Sequence, residues 1–259
     1  MKITILSDLH REFWKVDIPL YDCDVVVFAG DIACPIKESM DFLINYSNKI
    51  KKPVVAVLGN HDFYRSNYEN ALEYAHKRAT ESKYLYLLEN QSCVIAGIKF
   101  IGCTLWSDFS YETGGNVSLQ ENNAYIAQAD ISDFYQIRFS KENKKNSAMK
   151  CMSLFNKSVK YIKSELEKEH KGKIVIVTHF GIDKQCSNQK HYNSNLQPYF
   201  ISNVSDILNN YNIDYWIYGH THYSNTFNLG NTKIVGNQIG YPMENENDVR
   251  TNMNFCIEV

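Results

Sequence analysis

Short apolar runs that each stop in a polar cluster recur along this chain, and they restrict its fold more than any other feature. Residues 2–6 run into Ser7-Asp8-Leu9-His10, residues 24–28 into Ala29-Gly30-Asp31, and residues 54–58 into Gly59-Asn60-His61-Asp62. Far downstream, residues 173–177 lead to Thr178-His179 and residues 215–218 to Gly219-His220-Thr221-His222. Such runs, bounded by turn-forming residues, read as buried strands. Helical spacing of apolar residues, as in Met40, Leu43, Ile44 and Ile50, predicts helices over residues 35–50, and others over 68–83 and 201–211. This succession predicts a layered α/β fold in which helices cover a largely parallel sheet and the functional loops gather at strand ends.

Residues 92–96 and 98–103, joined across Gly97, read as a hairpin. Residues 225–229, 232–235 and 254–258 read as further strands, with Gly230-Asn231 a turn. Strand-rich segments in both halves predict two sheets packed face to face with helices outside. Residues 106–169 lack strand alternation, and Met149, Met152, Phe155, Val159, Ile162 and Leu166 recur there at helical spacing. That segment is expected to be a helical insertion near the site, within a single domain of residues 1–259.

Net charge of -2 supplies no global positive field for nucleic acid or an anionic membrane. No apolar stretch reaches the roughly 18 residues of a membrane span, so a soluble, cytoplasmic protein is expected. Seven scattered cysteines (Cys23, Cys34, Cys93, Cys103, Cys151, Cys186, Cys256) without C-x-x-C spacing predict reduced thiols rather than a disulfide framework or structural zinc.

The strand ends themselves point to metal. Of eight histidines, His10, His61, His179, His220 and His222 occupy strand ends, whereas His76 and His170 are expected in helices and His191 in a loop. Asp8 and His10 lie two residues apart, as do His220 and His222, a spacing that sends both side chains to one side of an extended segment. Imidazole with carboxylate suits zinc, iron, manganese or nickel better than calcium, and the lack of thiolates weighs against a closed zinc site. The seven candidate ligands Asp8, His10, Asp31, Asn60, His179, His220 and His222 are too many for one ion. With Asp31 bridging through its two oxygens they divide over two ions about 3.5–4 Å apart, an arrangement that serves phosphoryl transfer.

Asp8-Leu9-His10, Gly30-Asp31, Gly59-Asn60-His61-Asp62, Thr178-His179 and Gly219-His220-Thr221-His222, in that order, resemble the five signature blocks of the calcineurin-like metallophosphoesterase superfamily. The resemblance implies a four-layer α/β/β/α sandwich of two mixed sheets with a dinuclear centre. It implies that Asp8, His10 and His222 hold one divalent or mixed-valence transition metal ion, that Asn60, His179 and His220 hold the other, and that Asp31 bridges them. The implied reaction is hydrolysis of a small phosphate mono- or diester by in-line attack of a metal-bound water or hydroxide. His61 is implied to lie over the substrate phosphate rather than on a metal, stabilising charge and protonating the leaving oxygen. The chemistry agrees: bound water is acidified to a pKa of about 7, which leaves an acid near neutrality to be supplied. Asp62 is expected to support the loop.

After Gly30-Asp31 the chain continues Ile32-Ala33-Cys34-Pro35, without the Asp and Arg residues found there in protein phosphatases of the superfamily, so it looks more like the bacterial and phage-type small phosphoesterases. Asn60 and His61, with Trp106, Asp108 and Tyr111, are expected near substrate, and Lys184, Lys190 and His191 in a specificity loop. A nuclease is the less favoured alternative, with Lys141, Lys144 and Lys145 as its local basic patch. The alternative from another class is an inactive interaction module on the same fold, and the intact ligand set argues against it.

Overall fold

The computed structural model describes residues 1–139, 147–245 and 252–259. Its first part alternates β1 (Lys2–Leu6), β2 (Val25–Ala29), α1 (Ile36–Ile50), β3 (Val54–Val57), α2 (Tyr68–Ala79) and β4 (Leu85–Leu87). The hairpin β5 (Gln91–Ile95) and β6 (Ile98–Cys103) follows, then α3 (Val117–Asp130), α4 (Asp133–Gln136) and α5 (Ala148–Leu166). Next come β7 (Ile174–Thr178), α6 (Gln197–Phe200), α7 (Ser205–Asn210) and β8 (Tyr215–Tyr218). The last elements are β9 (Asn225–Leu229), β10 (Thr232–Gly236), α8 (Pro242–Asn245) and β11 (Cys256–Glu258).

The strands form a five-stranded sheet, β11-β1-β2-β3-β4, and a six-stranded sheet, β5-β6-β7-β8-β10-β9. Both are mixed: β1 to β4 run parallel with β11 antiparallel, and β6, β7, β8 and β10 run parallel between antiparallel β5 and β9. The twofold alternation of strand side chains makes the four layers. Ile3, Ile5, Val25, Val27, Val55 and Val57 of the first sheet share one core with Phe100, Val175, Val177 and Ile217 of the second. The alternate residues Val26, Phe28 and Val54 pack with Met40 and Leu43 of α1 and Ala75 of α2. On the far side Ile101, Ile176 and Trp216 belong to the same outer core as Leu154, Phe155 and Ile162 of α5. Strands covered on both faces are apolar at nearly every position, which is why they read as near-continuous runs.

Several expected boundaries move. The helix expected over 201–211 shrinks to α7, because Ile201 is buried in a bridge with Gly181 and starts no helix. α2 ends at Ala79, and His170 lies beyond the end of α5. β4, too short to show alternation, has no counterpart among the expected strands. Lys141, Lys144 and Lys145 lie outside the described residues.

One buried ion pair fastens α5 to the second sheet. Lys99 Nζ of β6 lies 2.9 Å from Glu165 Oε2 and donates to the Glu165 carbonyl at 2.7 Å, and Ser92 Oγ donates to Oε2 at 3.0 Å. Burial pushes the Glu165 carboxyl up, but hydrogen bonds from Lys168, Lys99 and Ser92 outweigh it and hold it at about 2. A folded-state pKa below the unfolded one stabilises the fold above the ordinary carboxylate range and stops doing so as pH falls toward 2. Lys99→Met is therefore expected to cost about 3 kcal/mol at neutral pH by urea unfolding. Glu165→Gln should lose less stability than the parent protein on acidification from pH about 5 to 2.

Candidate metal centre

Strands β1, β2 and β3 of one sheet and β7 and β8 of the other deliver their carboxyl ends to a common edge. The two sheets are joined there: His179 Nδ1 contacts the Ala29 carbonyl at 2.8 Å, and the His220 N–H donates to both Asp8 oxygens at 3.0 and 3.1 Å. The backbone leaves extended geometry at the moment each side chain is presented. Asp8, His10, Asp31, His220 and His222 have φ of 56°, 42°, 52°, 74° and 49°. Side chains other than glycine avoid this left-handed region, at a cost of about 1–3 kcal/mol each. Asp8 and His10 therefore do not converge through extended alternation, as expected from their spacing. Their loop curls, and bonds from Asp8 N to Gly30 O (3.0 Å) and His10 N to Asp31 O (3.1 Å) hold it.

Two glycines permit the approach. A Cβ on Gly59 would lie 2.1 Å from Asp31 Oδ1, and one on Gly30 would lie 2.4 Å from His179 Nδ1. Asp62 then ties these loops together. Its carboxylate, fully buried, accepts from the backbone N–H groups of Gly59 (2.7 Å), Asp31 (3.0 Å), Ile32 (3.1 Å) and Ala33 (3.3 Å) and from Ser39 Oγ (2.6 Å). Burial and the Asp31 charge raise its pKa, and the donors oppose them.

Seven side chains come together here. Asp8, His10 and His222 each bring a ligand atom within 4.8 Å of the others, and so do Asp31, His179 and His220. Asn60 Oδ1 lies 2.9 Å from His179 Nε2. Asp31 turns a single oxygen, Oδ2, toward both sets, 3.6 Å from His10 Nε2 and 3.4 Å from His179 Nε2. Its Oδ1 accepts from the His61 N–H at 2.8 Å.

The donor set fits transition metal ions. An ion held at about 2.0–2.2 Å leaves neighbouring ligand atoms roughly 3.0–3.5 Å apart, close to the spacings here. The Nδ1 atoms of His10, His179 and His222 contact Glu12 Oε1 (3.1 Å), the Ala29 carbonyl and Glu244 Oε2 (2.6 Å). These partners are acceptors, so Nδ1 carries a proton and Nε2 is the atom turned to the centre; burial lowers both pKa values, but the Asp31 charge raises that of His179 to about 9 and the Glu244 hydrogen bond raises that of His222. Among the described residues, His220 Nε2 is buried with no hydrogen-bond partner. Burial and the His179 charge depress the His220 pKa, so its ring is neutral, as a ligand must be. Burial pushes Asp31 up, but the His179 and His61 charges outweigh it and hold the carboxyl well below its usual range.

His61 stands beside this group with both ring nitrogens engaged. Nδ1 meets Glu12 Oε1 at 3.1 Å, Nε2 meets the Tyr241 hydroxyl at 3.1 Å, and the ring stacks on Tyr64 with centroids 4.1 Å apart. Burial lowers its pKa, but the Asp31 charge, the Glu12 hydrogen bond and Asp133 raise it to about 9. A cavity of about 380 Å³ opens from the centre, with Tyr64, Ile131, Leu196 and Phe200 among its walls. Its size suits a small organic ligand.

Other expected contacts lie elsewhere. Trp106 is fully buried against Phe63, Tyr68, Phe139 and Phe180 and does not line the cavity. Asp108 binds Ser110 through both oxygens, and the Tyr111 hydroxyl accepts from Lys184 N–H. Lys184 Nζ faces Glu112 at 3.6 Å, and Lys190 is exposed, whereas His191 does line the cavity. Sequence reasoning missed Glu12, Asp133, Tyr241 and Glu244. Only Glu12, two residues beyond His10, carried any positional signal.

A family model described as calcineurin-like phosphoesterase matches residues 1–224. The uncharacterized protein L509 of Acanthamoeba polyphaga mimivirus is 26% identical, over 93% of this chain and 92% of that protein. Among solved structures, a phosphopantetheinyl hydrolase from Mycobacterium tuberculosis superposes with a TM-score of 0.74 at 19% identity, covering 100% of this chain and 95% of that one. A dimetal phosphatase from Danio rerio superposes at 0.54 with 12% identity, covering 91% of this chain and 86% of that one. Among the described residues, no helix is long and apolar enough to cross a membrane.

Asp62 gives this geometry a direct check. Asp62→Ala strands four buried backbone donors, and each unsatisfied group costs about 1–3 kcal/mol. The variant is expected to show a lower urea midpoint than the parent protein and weaker manganese binding by equilibrium dialysis.

Proposed function

The chain belongs to the calcineurin-like phosphoesterase family, and from that premise we propose that this metal-dependent phosphoesterase works through a dinuclear centre. In this reading Asp8, His10 and His222 would hold one ion and Asn60, His179 and His220 the other, with Asp31 placed between the two sets. The observation that carries it is the orientation of His10, His179 and His222, whose Nδ1 atoms meet acceptors while their Nε2 atoms meet around Asp8, Asp31 and Asn60. Manganese, iron, zinc and nickel all suit this nitrogen and oxygen set. Two such ions, when bound, supply Lewis-acid charge to phosphoryl oxygens and acidify water for in-line attack.

The protein's own groups supply the rest. His61 is placed to donate a proton to the leaving oxygen and to stabilise charge on the phosphate, with Glu12 fixing its Nδ1 side. The Asp31 charge that raises the His61 pKa would act on it less strongly if shared with bound cations. The organic part of a small phosphate mono- or diester then occupies the cavity, beside Tyr64, Ile131 and Leu196. Residues 1–259 act as one unit, with residues 131–133 of the insertion forming part of the wall. The fold shared with a phosphopantetheinyl hydrolase adds phosphopantetheinyl esters to the substrates to test.

Purified protein supplied with manganese, iron, zinc or nickel is expected to hydrolyse p-nitrophenyl phosphate or its bis ester; inactivity with every metal on both would sink the reading. Asp31→Asn should lose metal and activity together. His61→Ala should retain two metals while kcat falls about 10²–10⁴-fold. Equal metal loss in the two variants, measured by elemental analysis, would refute the role given to His61.

A further inference from the structure

Asp133 is almost wholly buried, begins α4 within the insertion, and reaches the metal centre from 73 residues away in sequence. Its Oδ1 accepts from Asn60 Nδ2 at 3.0 Å and from the Tyr64 hydroxyl at 2.6 Å, and its Oδ2 accepts from the Tyr199 hydroxyl. Asn60 thereby turns Nδ2 to Asp133, while its Oδ1 lies 2.9 Å from His179 Nε2.

The two ends of an asparagine amide have nearly the same shape, so their hydrogen-bond partners decide which way the group faces. Only the carbonyl end can coordinate a cation. With three donors on its two oxygens, the Asp133 carboxyl accepts at both, so it takes the NH₂ end of Asn60 and leaves the oxygen facing the centre. The two tyrosine hydroxyls hold that carboxylate in place.

We propose that Asp133 is a positioning residue that orients the Asn60 amide for the second metal, so that the insertion helps to build the centre as well as the cavity wall. The inference rests on the dinuclear reading above. Groups that orient metal ligands in this way typically carry 10- to 100-fold in affinity. The substitution Asp133→Asn puts an amide opposite Asn60 that can offer either its carbonyl or its NH₂, and so no longer selects one orientation. Adding Asn60→Asp restores selection: the ligand side chain then has an oxygen at each end, and the amide introduced by Asp133→Asn donates to one of them.

The test is manganese binding by equilibrium dialysis on the full chain, with electron paramagnetic resonance to detect the spin-coupled pair. Asp133→Asn is expected to bind the first equivalent as the parent protein does and the second about 10- to 100-fold more weakly, with a reduced coupled signal. The exchange variant, Asp133→Asn with Asn60→Asp, is expected to recover most of that loss. Thermal unfolding without added metal separates an orienting role from a general loss of structure. Unchanged second-site affinity in Asp133→Asn, or equal loss of both equivalents without recovery in the exchange variant, overturns the role of Asp133 alone. Failure of the parent protein to bind a second equivalent overturns the dinuclear reading, and this inference with it.

Discussion

The Asp62 carboxylate is the contact on which the centre depends. Parallel strands end in backbone groups without ladder partners, and the turns after β2 and β3 would leave several N–H groups unmet. One buried side chain accepts from Gly59, Asp31, Ile32 and Ala33 together. That contact fixes the distance between Asp31 and the segment that carries Asn60 and His61. Gly59 and Gly30 make the contact possible because a Cβ at either would occupy space taken by Asp31 or His179.

The left-handed conformations of Asp8, His10, Asp31, His220 and His222 follow from the same demand. A straight strand cannot present two ligands to a point beyond its own end, whereas a curled loop can, at a local conformational cost. The sandwich core supplies the stability against which such cost is set, with β1, β2, β3, β7 and β8 covered on both faces. Rigid strands and strained ends are thus parts of one arrangement, and the strain lies where the ligands are presented.

Around the candidate metal-binding side chains lies a shell drawn from remote parts of the chain. Glu12 serves His10 and His61, Glu244 serves His222, and Asp133 serves Asn60. This shell includes acidic side chains that, read in sequence, resemble ordinary surface charge. Asp133 shows the difficulty: it follows Asp130, Ile131 and Ser132 in a polar helical segment with no motif, yet it is buried and bonded to three residues.

The linear sequence was sufficient for the layers and for the candidate metal-binding side chains, since a strand buried on both faces is largely apolar and those side chains follow directly at its end. Asp8, His10, Asp31, Asn60, His179, His220 and His222 were legible because their chemistry is set by residue type and their place by strand ends. Tertiary structure alone decided that Asp31 turns one oxygen to both groups, that Trp106 goes into the core, and that Glu12 and Asp133 meet His10, His61 and Asn60. The reason is physical. Periodicity reports which face of an element is buried, whereas the partner of a polar side chain depends on which distant segments the sheets bring to the same edge.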